Sequence, residues 1–555
     1  MRAVFATLNA RYVHAATAPF CLLAGLSAYA GRSHTATVIE GTVNEPTEAV
    51  AGRILSERPE LLALSVYIWN RRETAALIRA LRSAAPGLYI AVGGPEVEHD
   101  AVAFLTECPA DAVLCGEGER QIALLCDLLD GGGDPTSAPG SVTLCGGREH
   151  RVPPLPPEAC PPSAVTDEYL AAARGRIAYL ETSRGCPFSC AFCLSGGAQG
   201  GVRFFPIERA KREMLALAGA GVRTVKLVDR TFNADRARAR ELWRFVIAEQ
   251  GKGIPPGVSF HFEVSGELLT EEDLALLSEA PPGAIRLEIG IQSFRRETLS
   301  AVRRHGDPDC LTKVIERLSG MGNLELHIDL IAGLPGEGIA EFSEGFDRAY
   351  RLAPSMLQVG FLKLLHGTPM RTCPERYPCT YASEPPYEVI STPSLTPEEL
   401  AVLHALEGAV DRLYNSGRFS RTLAYLTDGL GISPFLLFSK FGQTVPPHGR
   451  SLDEYTDAFF AYAETLPGVV PARLRDLLVT DRMTTVHDHA LPHSLYVRDG
   501  VLAGIKRRLG EERRVFGNTA LWDAAILYES REILVVEYTE RDPVTGEFPS
   551  MRLSL

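Results

Sequence analysis

Short apolar runs alternate with helix-length segments in two series along the 555-residue chain. The first series has runs at residues 3–8, 37–40, 61–67, 89–93 and 112–116, and the second at 177–182, 222–228, 258–264, 285–289, 324–331 and 356–364. Alternating strands and helices form parallel sheets, because each helix returns the chain to the edge where the last strand began. The α/β pattern predicts a doubly wound parallel sheet followed by an open (β/α)6 barrel.

The segments outside these two series set the domain boundaries. Residues 131–175 are rich in glycine and proline, which predicts a linker in extended or polyproline form. Near residue 396 the sequence Thr-Pro-Glu-Glu predicts a capped helix start, and the remainder reads as mainly helical with a strand at 533–538. We expect four regions, at residues 1–130, 131–175, 176–373 and 374–555.

The amino-acid composition limits the kinds of molecule that we expect the protein to bind. Hydrophobic residues make up 45% and the formal net charge is −13, which is typical of a soluble globular protein. An acidic surface repels phosphate backbones and anionic lipids, so we expect small molecules, with no nucleic acid and no membrane as partners. The N-terminus lacks the order of a signal peptide, and we expect a cytoplasmic protein whose twelve cysteines stay reduced.

Three cysteines follow the first predicted barrel strand at spacings i, i+4 and i+7. They are Cys186, Cys190 and Cys193. Thiolates hold iron–sulfur clusters, and three of them on a four-iron cluster leave one iron open to a further ligand. The alternative is a zinc knuckle, which usually takes four closed ligands. Cys160 precedes the barrel and Cys310 lies far downstream, so the spacing favours a 4Fe–4S cluster.

This loop, with Phe192 before its last cysteine, resembles the CxxxCxxC loop of radical S-adenosylmethionine (SAM) enzymes. The resemblance implies a TIM-type partial barrel that binds SAM at its strand ends. Residues 227–233 stand where the family places a Gly-Gly-Glu stretch for the methionyl amine, although this sequence departs from that pattern. The implied SAM-binding residues are Phe192, Asp229, Arg230, Glu263, Ser265, Gln292, Ser293, Gly333, Pro335 and Gly336. For Glu263 a structural salt bridge is the alternative, and for the glycines a tight turn.

The N-terminal sheet resembles the flavodoxin-like, Rossmann-type cobalamin-binding domain of the cobalamin-dependent branch of that family. The resemblance rests on Gly-Gly-Pro after the fourth strand and Gly-Glu-Gly-Glu after the fifth. It implies cobalamin contacts at Asn9, Tyr12, Ser65, Val66, Tyr67, Trp69, Asn70, Gly93, Gly94, Pro95, Glu96, Gly116, Glu117, Gly118 and Glu119. The Asp-x-His-x-x-Gly segment that supplies an axial histidine elsewhere is missing. We therefore expect histidine-off binding.

The sequence does not identify the group that lies beneath the cobalt. Trp69 would either cover the lower corrin face or be a core tryptophan, and His14 would be an axial ligand or, more commonly, an ordinary histidine. The C-terminal region resembles an uncharacterised helical domain attached to some cobalamin radical enzymes, through residues 383–390 and 414–419. Cys373, Cys379 and the histidines of 487–493 read as ordinary residues rather than metal ligands.

These observations predict a cobalamin-dependent radical SAM methyltransferase. Its target would be an unactivated carbon, or a phosphorus, of a small metabolite or peptide, and its electron donor a flavodoxin or ferredoxin. One alternative keeps the same cofactors for a rearrangement, ring contraction or cyclisation without methylation. Another is a cobalamin- or redox-sensing binding protein. The sequence identifies no general acid or base.

Overall fold

A computed structural model describes residues 1–196, 201–446, 449–487, 491–497, 500–511 and 521–555. Its strands are β1 (Arg2–Asn9), β2 (Thr35–Thr42), β3 (Leu61–Ser65), β4 (Tyr89–Gly93), β5 (Ala112–Leu114), β6 (Ser141–Cys145), β7 (Arg148–Arg151), β8 (Ile177–Leu180), β9 (Ser183–Arg184), β10 (Arg203–Phe204), β11 (Thr224–Leu227), β12 (Ser259–Glu263), β13 (Ile285–Gln292), β14 (Glu325–Ala332), β15 (Met356–Phe361), β16 (Thr380–Tyr381), β17 (Val389–Ser391), β18 (Trp522–Leu527), β19 (Glu532–Glu537) and β20 (Ser550–Ser554).

The α-helices alternate with these strands over the first two thirds of the chain and dominate the last third. They are α1 (Ala18–Tyr29), α2 (Thr47–Ser56), α3 (Arg71–Ala84), α4 (Ala101–Glu107), α5 (Gly118–Asp130), α6 (Asp167–Ala173), α7 (Ile207–Gly219), α8 (Arg236–Glu249), α9 (Glu271–Ser278), α10 (Arg296–Ala301), α11 (Pro308–Met321), α12 (Ile339–Arg351), α13 (Pro369–Thr372), α14 (Pro397–Ala409), α15 (Ser420–Ala424), α16 (Pro434–Thr444), α17 (Leu452–Ala463), α18 (Pro471–Thr485) and α19 (Val501–Glu511).

The chain divides into two compact units. The first unit comprises residues 1–286, 300–305 and 362–390, and the second comprises residues 287–299, 306–361 and 391–555. This division cuts through the predicted barrel region instead of following the predicted boundary at residue 373.

The first unit begins with a seven-stranded sheet in the order β2-β1-β3-β4-β5-β6-β7. Strands β1 to β5 pair in parallel, as predicted, and one apolar core covers each face of the sheet. Because β1 lies between β2 and β3, the strand order reverses there, and ligands bind beyond the carboxyl ends of the strands at such a point. The sheet therefore places a site beside the ends of β1 and β3.

Part of the predicted linker is a β-hairpin rather than an extended connection. Strands β6 and β7 pair antiparallel with each other, and β6 pairs antiparallel with β5. Gly146 and Gly147 make the two-residue turn with φ of +56° and +76°, which suits a primed hairpin turn. Val142 is buried, whereas all of β7 is exposed, so the hairpin forms an edge of the sheet.

The predicted barrel strands are all present, although β8, β11, β12 and β15 are shorter than the apolar runs. In the first unit β11 pairs in parallel with β8 and with β12. Immediately after β8, the two-residue strands β9 and β10 pair antiparallel and enclose the three-cysteine loop between them. The first unit therefore brings the ends of three barrel strands and the base of that loop together.

The second unit contains most of β13, the parallel pair β14 and β15, and the C-terminal helices. The predicted capping box is confirmed, since the Thr396 hydroxyl accepts from the Glu399 backbone N–H at 3.2 Å at the start of α14. The predicted strand at 533–538 is β19, which lies between β18 and β20 in an antiparallel sheet. Among the described residues, none of the helices combines the length and the apolar character that a membrane crossing requires.

Candidate functional site

A cavity of about 720 Å³ lies at the carboxyl edge of the N-terminal sheet, in the first unit. This volume falls within the range of cofactor sites, roughly 300–1,000 Å³. Most residues predicted to bind cobalamin line it, namely Asn9, Ser65, Tyr67, Trp69, Gly93, Gly94, Gly116, Glu117, Gly118 and Glu119. The strand-end rule therefore brings ten of the fifteen predicted cobalamin contacts to one cavity.

Glycines let the backbone approach this cavity closely. Gly94 has φ of +115°, and a Cβ added there would lie 2.5 Å from the Val66 carbonyl oxygen. Gly116 has φ of +83°, and its added Cβ would lie 2.9 Å from Pro154. An L-residue at either position would be strained in its backbone and crowded. The wall thus presents bare backbone, which fits a large, flat ligand such as cobalamin.

Five other predicted cobalamin residues lie outside the cavity lining; they are Tyr12, Val66, Asn70, Pro95 and Glu96. Asn70 is fully buried, and its amide donates to the carbonyls of Leu8 at 3.0 Å and Ser65 at 3.2 Å while its oxygen accepts from the Tyr67 N–H at 2.8 Å. Glu96 is buried against Arg71 at 3.3 Å. Both side chains support the cavity loops from behind.

Two aromatic rings stand on the cavity wall after β3. Tyr67 and Trp69 stack with ring centroids 4.4 Å apart and an angle of 5° between the ring planes. Trp69 is 49% exposed, so the alternative of a core tryptophan is wrong. Burial raises the pKa of Tyr67 to about 12, so its hydroxyl stays protonated at neutral pH. This pair offers a flat apolar surface with two hydrogen-bond donors, the Tyr67 hydroxyl and the Trp69 indole N–H.

His14 also lines the cavity, and a residue of the first barrel strand holds its ring. Its Nδ1 lies 2.8 Å from the hydroxyl of Tyr179 on β8. Burial and, next, the positive charge of Arg11 lower the pKa of His14, so the imidazole is neutral at pH 7. The neutral imidazole is therefore a polar group of the cavity whose orientation is set by Tyr179. Its contacts assign it no further role.

The three-cysteine loop is pinned by the segments 300–305 and 362–390. The Ala191 N–H donates to the Val302 carbonyl at 2.8 Å, and the Ala191 carbonyl accepts from the Met370 N–H at 3.1 Å. Cys190 is buried, while Cys186 and Cys193 are half-buried, and all three are free thiols. Burial raises the pKa of the Cys190 thiol, and hydrogen bonding with Arg304 opposes that shift. Three free thiols on one anchored loop fit a cluster with three protein ligands.

Asp229, which the sequence predicts as a SAM contact, is hydrogen-bonded within the protein. Its carboxylate is buried and accepts from the Thr182 N–H at 2.7 Å, the Thr182 hydroxyl at 2.6 Å and the Ser183 hydroxyl at 2.6 Å. Burial raises the pKa of Asp229, and these hydrogen bonds oppose that shift. Because its oxygens are already satisfied by the residues before the cysteines, Asp229 anchors the base of the loop.

Arg230 and Glu263 line the same cavity, as their predicted ligand role requires. Glu263 lies 3.8 Å from the Lys226 ammonium and 3.9 Å from the Arg230 guanidinium. Ser265 instead is held by Asn233, which accepts from its N–H at 2.9 Å and donates to its carbonyl at 2.9 Å. Phe192 is half-buried within the cysteine loop. The polar floor of the cavity therefore consists of charged side chains from β11 and β12.

The remaining predicted SAM residues belong to the second unit; they are Gln292, Ser293, Gly333, Pro335 and Gly336. The Ser293 hydroxyl donates to Glu337 at 2.5 Å, so the segment after β13 is bonded to the segment after β14. Gln292, Gly333 and Gly336 have φ of +69°, +91° and +76°. Burial raises the pKa of Glu337 to about 7. Glu337 directly follows the predicted residue Gly336, although the sequence analysis does not predict Glu337 as a site residue.

Three charged residues of the cavity lining are not predicted from the sequence. Glu181 and Arg184 flank the start of the cysteine loop and line the cavity, and so does Lys226. The signal for Lys226 was a lone charge inside the apolar run Val225–Leu227. Arg184 stands two residues before the first cysteine, and only the fold shows that Glu117 and Glu119 meet it.

Comparison with known proteins agrees with this geometry. Residues 180–349 match the radical SAM superfamily, residues 17–125 match the B12 binding domain, and residues 375–506 match a protein family of unknown function, DUF4080. The first match contains all three cysteines, and the second contains the glycine loops of the cavity. The predicted cofactors are thereby confirmed, since these domains bind a 4Fe–4S cluster with SAM, and cobalamin.

Two curated relatives are methyltransferases. The chain is 30% identical over 304 residues to 2-(S-pantetheinyl)-carbapenam-3-carboxylate methyltransferase of Streptantibioticus cattleyicolor, covering 52% of this chain and 44% of the relative. It is 29% identical over 355 residues to the cobalamin-dependent radical SAM methyltransferase TokK of Streptomyces tokunonensis, covering 60% and 50%. The chain thus spans about half the length of these relatives.

Two solved structures share the fold. The cobalamin-dependent SAM radical enzyme OxsB, with aqua-cobalamin and SAM bound, aligns over 94% of this chain and 82% of its own, with a TM-score of 0.60 and 14% identity. The radical SAM methyltransferase TsrM from Kitasatospora setae, with tryptophan and a SAM analogue bound, aligns over 67% and 76%, with a TM-score of 0.55 and 18% identity. The predicted fold class is confirmed, and the chain carries both a radical SAM domain and a B12 binding domain.

Proposed function

We propose that this protein is a cobalamin-dependent radical SAM methyltransferase that methylates an unactivated carbon, or a phosphorus, of a small metabolite or peptide. One observation carries the proposal. The glycine loops of the B12 binding domain, and Glu181 and Arg184 at the base of the cysteine loop, line one cavity. Two cofactors bound at these loops would face the same cavity, where a substrate could meet both. The methyltransferase names of the two relatives support the same activity.

The chain's own residues would bind and orient the reactants. Backbone at Gly94 and Gly116 forms the cobalamin wall, and the stacked Tyr67 and Trp69 shield it with apolar surface. Lys226, Arg230 and Glu263 supply a polar floor of both charge signs. When bound, the cluster and SAM supply radical chemistry and cobalamin supplies methyl transfer. Cofactors and substrate that fill this cavity would displace water from it, which protects a reactive intermediate from side reactions.

A product analysis tests the proposal. Reconstituted protein would be incubated anaerobically with cobalamin, SAM and a strong reductant, and S-adenosylhomocysteine and 5′-deoxyadenosine would be quantified by mass spectrometry. We expect both products, with S-adenosylhomocysteine dependent on cobalamin. 5′-Deoxyadenosine alone would instead support a rearrangement, and neither product would support a sensing protein.

A cysteine substitution tests the assignment of the cluster. Cys190→Ala should remove the cluster and 5′-deoxyadenosine formation while cobalamin still binds, because Cys190 lies outside the cobalamin wall. Cys373→Ala is the matched control, since Cys373 is a half-buried free thiol of the same unit and should leave both cofactors bound. Retained SAM cleavage in Cys190→Ala would overturn the assignment.

The remaining expectations complete the proposal. We infer that the electron donor is a flavodoxin or ferredoxin and that the protein works in the cytoplasm. The sequence regions 1–130, 131–175, 176–373 and 374–555 stay our proposal for its functional domains. Of the histidine-rich stretch 487–493, residues 488–490 lie outside the described part of the chain.

A further inference from the structure

We propose that Arg184 is a positioning residue that ties the cysteine loop to the 116–119 loop of the B12 binding domain, so that each cofactor changes the affinity for the other. Residues 116–119 follow β5 and form part of the cobalamin wall of the cavity. Arg184 is the last residue of β9, two positions before Cys186. The inference concerns the two cofactor loops alone and holds whether the enzyme methylates or rearranges its substrate.

The guanidinium of Arg184 contacts three carboxylates on two separate parts of the fold. Its Nη1 lies 3.2 Å from Glu117, its Nη2 donates to Glu119, and its Nε donates to both oxygens of Glu181 at 2.9 and 2.8 Å. Glu117 and Glu119 belong to the cobalamin wall, whereas Glu181 precedes the cysteines. Every nitrogen of the guanidinium is therefore engaged, and the contacts divide between the two loops.

Burial makes these contacts sensitive to any movement of either loop. The side chains of Arg184 and Glu119 are 17% and 7% exposed. Burial by itself would lower the pKa of Arg184, but Glu181 and Glu119 raise it above its ordinary value, so it stays charged. A buried guanidinium that loses one carboxylate leaves charges uncompensated, which is costly. Displacing the 116–119 loop must therefore displace Arg184 as well.

The backbone around Arg184 transmits such a displacement to the cysteines. Gly185 has φ of +99°, and a Cβ there would lie 2.5 Å from the Gly201 carbonyl oxygen, so the loop turns sharply next to Arg184. Across the β9–β10 pair, Arg203 lies opposite Arg184 and also pairs with Glu117. Two arginines from the strands that enclose the cysteine loop thus hold one glutamate of the cobalamin wall.

Reciprocal binding measurements test this coupling without turnover. The dissociation constant of SAM would be measured on cluster-loaded protein, without reductant, in the presence and absence of hydroxocobalamin. In the wild type we expect cobalamin to change it at least about fivefold, the lower end of typical coupling, with the same factor for SAM acting on cobalamin. In Arg184→Gln the factor should fall toward one, and the Arg203–Glu117 pair would carry the coupling that remains. The electron paramagnetic resonance g values of the reduced cluster should respond to cobalamin in the wild type only.

Control variants separate coupling from a purely structural role. Arg82→Gln removes a half-buried arginine of the same unit, which bonds Asp111 at 2.6 Å and does not line the cavity. This variant should keep the wild-type factor. Arg184→Lys keeps the charge but cannot reproduce three directed contacts, so it should restore the factor only in part. If Arg184→Gln fails to fold, the double variant Glu117→Gln/Glu119→Gln removes the charges on the cobalamin side and should abolish coupling.

Two results would overturn the inference. One is a wild-type protein in which cobalamin changes neither the SAM affinity nor the cluster spectrum. The other is a folded Arg184→Gln or Glu117→Gln/Glu119→Gln protein that keeps the wild-type factor. Because neither measurement requires a substrate, a failed search for methylated product would leave this test unaffected.

Discussion

Replacing Asp229 by alanine distinguishes a loop anchor from a ligand of SAM. The substitution leaves the buried Thr182 N–H without its acceptor at 2.7 Å and deprives two hydroxyls of theirs at 2.6 Å. An unsatisfied buried donor costs about 1–3 kcal/mol, and bonds to a charged group contribute about 1.5–3 kcal/mol each. Since hydroxyls can turn toward other acceptors, we expect a local cost of about 3 kcal/mol, which corresponds to roughly 150-fold in an equilibrium.

Hydrogen exchange and iron content measure this cost where it arises. Exchange of the Thr182 amide reports the opening free energy of the loop base, so it should accelerate about 150-fold in Asp229→Ala. Iron content should fall before SAM is added. Asp229→Asn keeps an oxygen for the Thr182 N–H and should restore most of the iron. Asp235→Ala, which removes only the cap on the Arg238 N–H at 3.1 Å, is the matched control and should keep the cluster.

The opposite pattern would refute the reasoning. If Asp229→Ala retained full iron and native exchange at Thr182 but bound SAM weakly, Asp229 would be the amine ligand that the family resemblance implied. The two roles make separate predictions because one acts on the protein without SAM and the other acts only when SAM is present.

Two further substitutions test the cobalamin wall and the second unit. Gly94→Ala should weaken hydroxocobalamin binding at least about tenfold, because its Cβ would lie 2.5 Å from the Val66 carbonyl oxygen at a φ of +115°, while SAM binding and iron content stay at wild-type levels; absorbance titration measures the effect, and unchanged cobalamin affinity would contradict it. Glu337, whose folded pKa of about 7 exceeds its ordinary value, stabilises the fold below its unfolded pKa near 4.5, and this stability is lost as pH rises through about 7. The melting temperature should therefore fall between pH 5 and 8, and Glu337→Gln should flatten that slope; identical slopes would contradict the assignment.

Sequence patterns predicted the fold well because they report local physics. The eleven apolar runs of the two series all correspond to strands, because a short apolar run bounded by turn residues favours a strand of a parallel sheet. The hairpin of β6 and β7 was missed, although Gly146 and Gly147 between two short alternating runs are a hairpin signal. The prolines around this segment favour a linker, and the prediction for residues 131–175 follows them.

The site was predicted at the level of loops rather than of side chains. Glycines at strand ends identified loops that line the cavity, because only backbone geometry was needed there. Asp229 and Asn70 were assigned to ligands although each is satisfied by its own protein. In the sequence, a polar residue at a strand end looks the same whether it binds a ligand or supports a loop. The sequence does not show which neighbouring strand supplies its hydrogen-bond partner.

Asn70 and Asp229 solve the same physical problem at the two sides of the cavity. A loop that leaves a parallel strand must hold backbone away from the sheet while its own N–H and C=O groups lose their ladder partners. Asn70 replaces those partners behind the 65–70 loop through Leu8 and Tyr67, and Asp229 does so behind the cysteine loop through Thr182. Both side chains are nearly inaccessible to solvent, at 0% and 1%. The 65–70 loop and the cysteine loop therefore each have their own clamp, and the Arg184 contacts tie the cysteine loop to a third segment, residues 116–119.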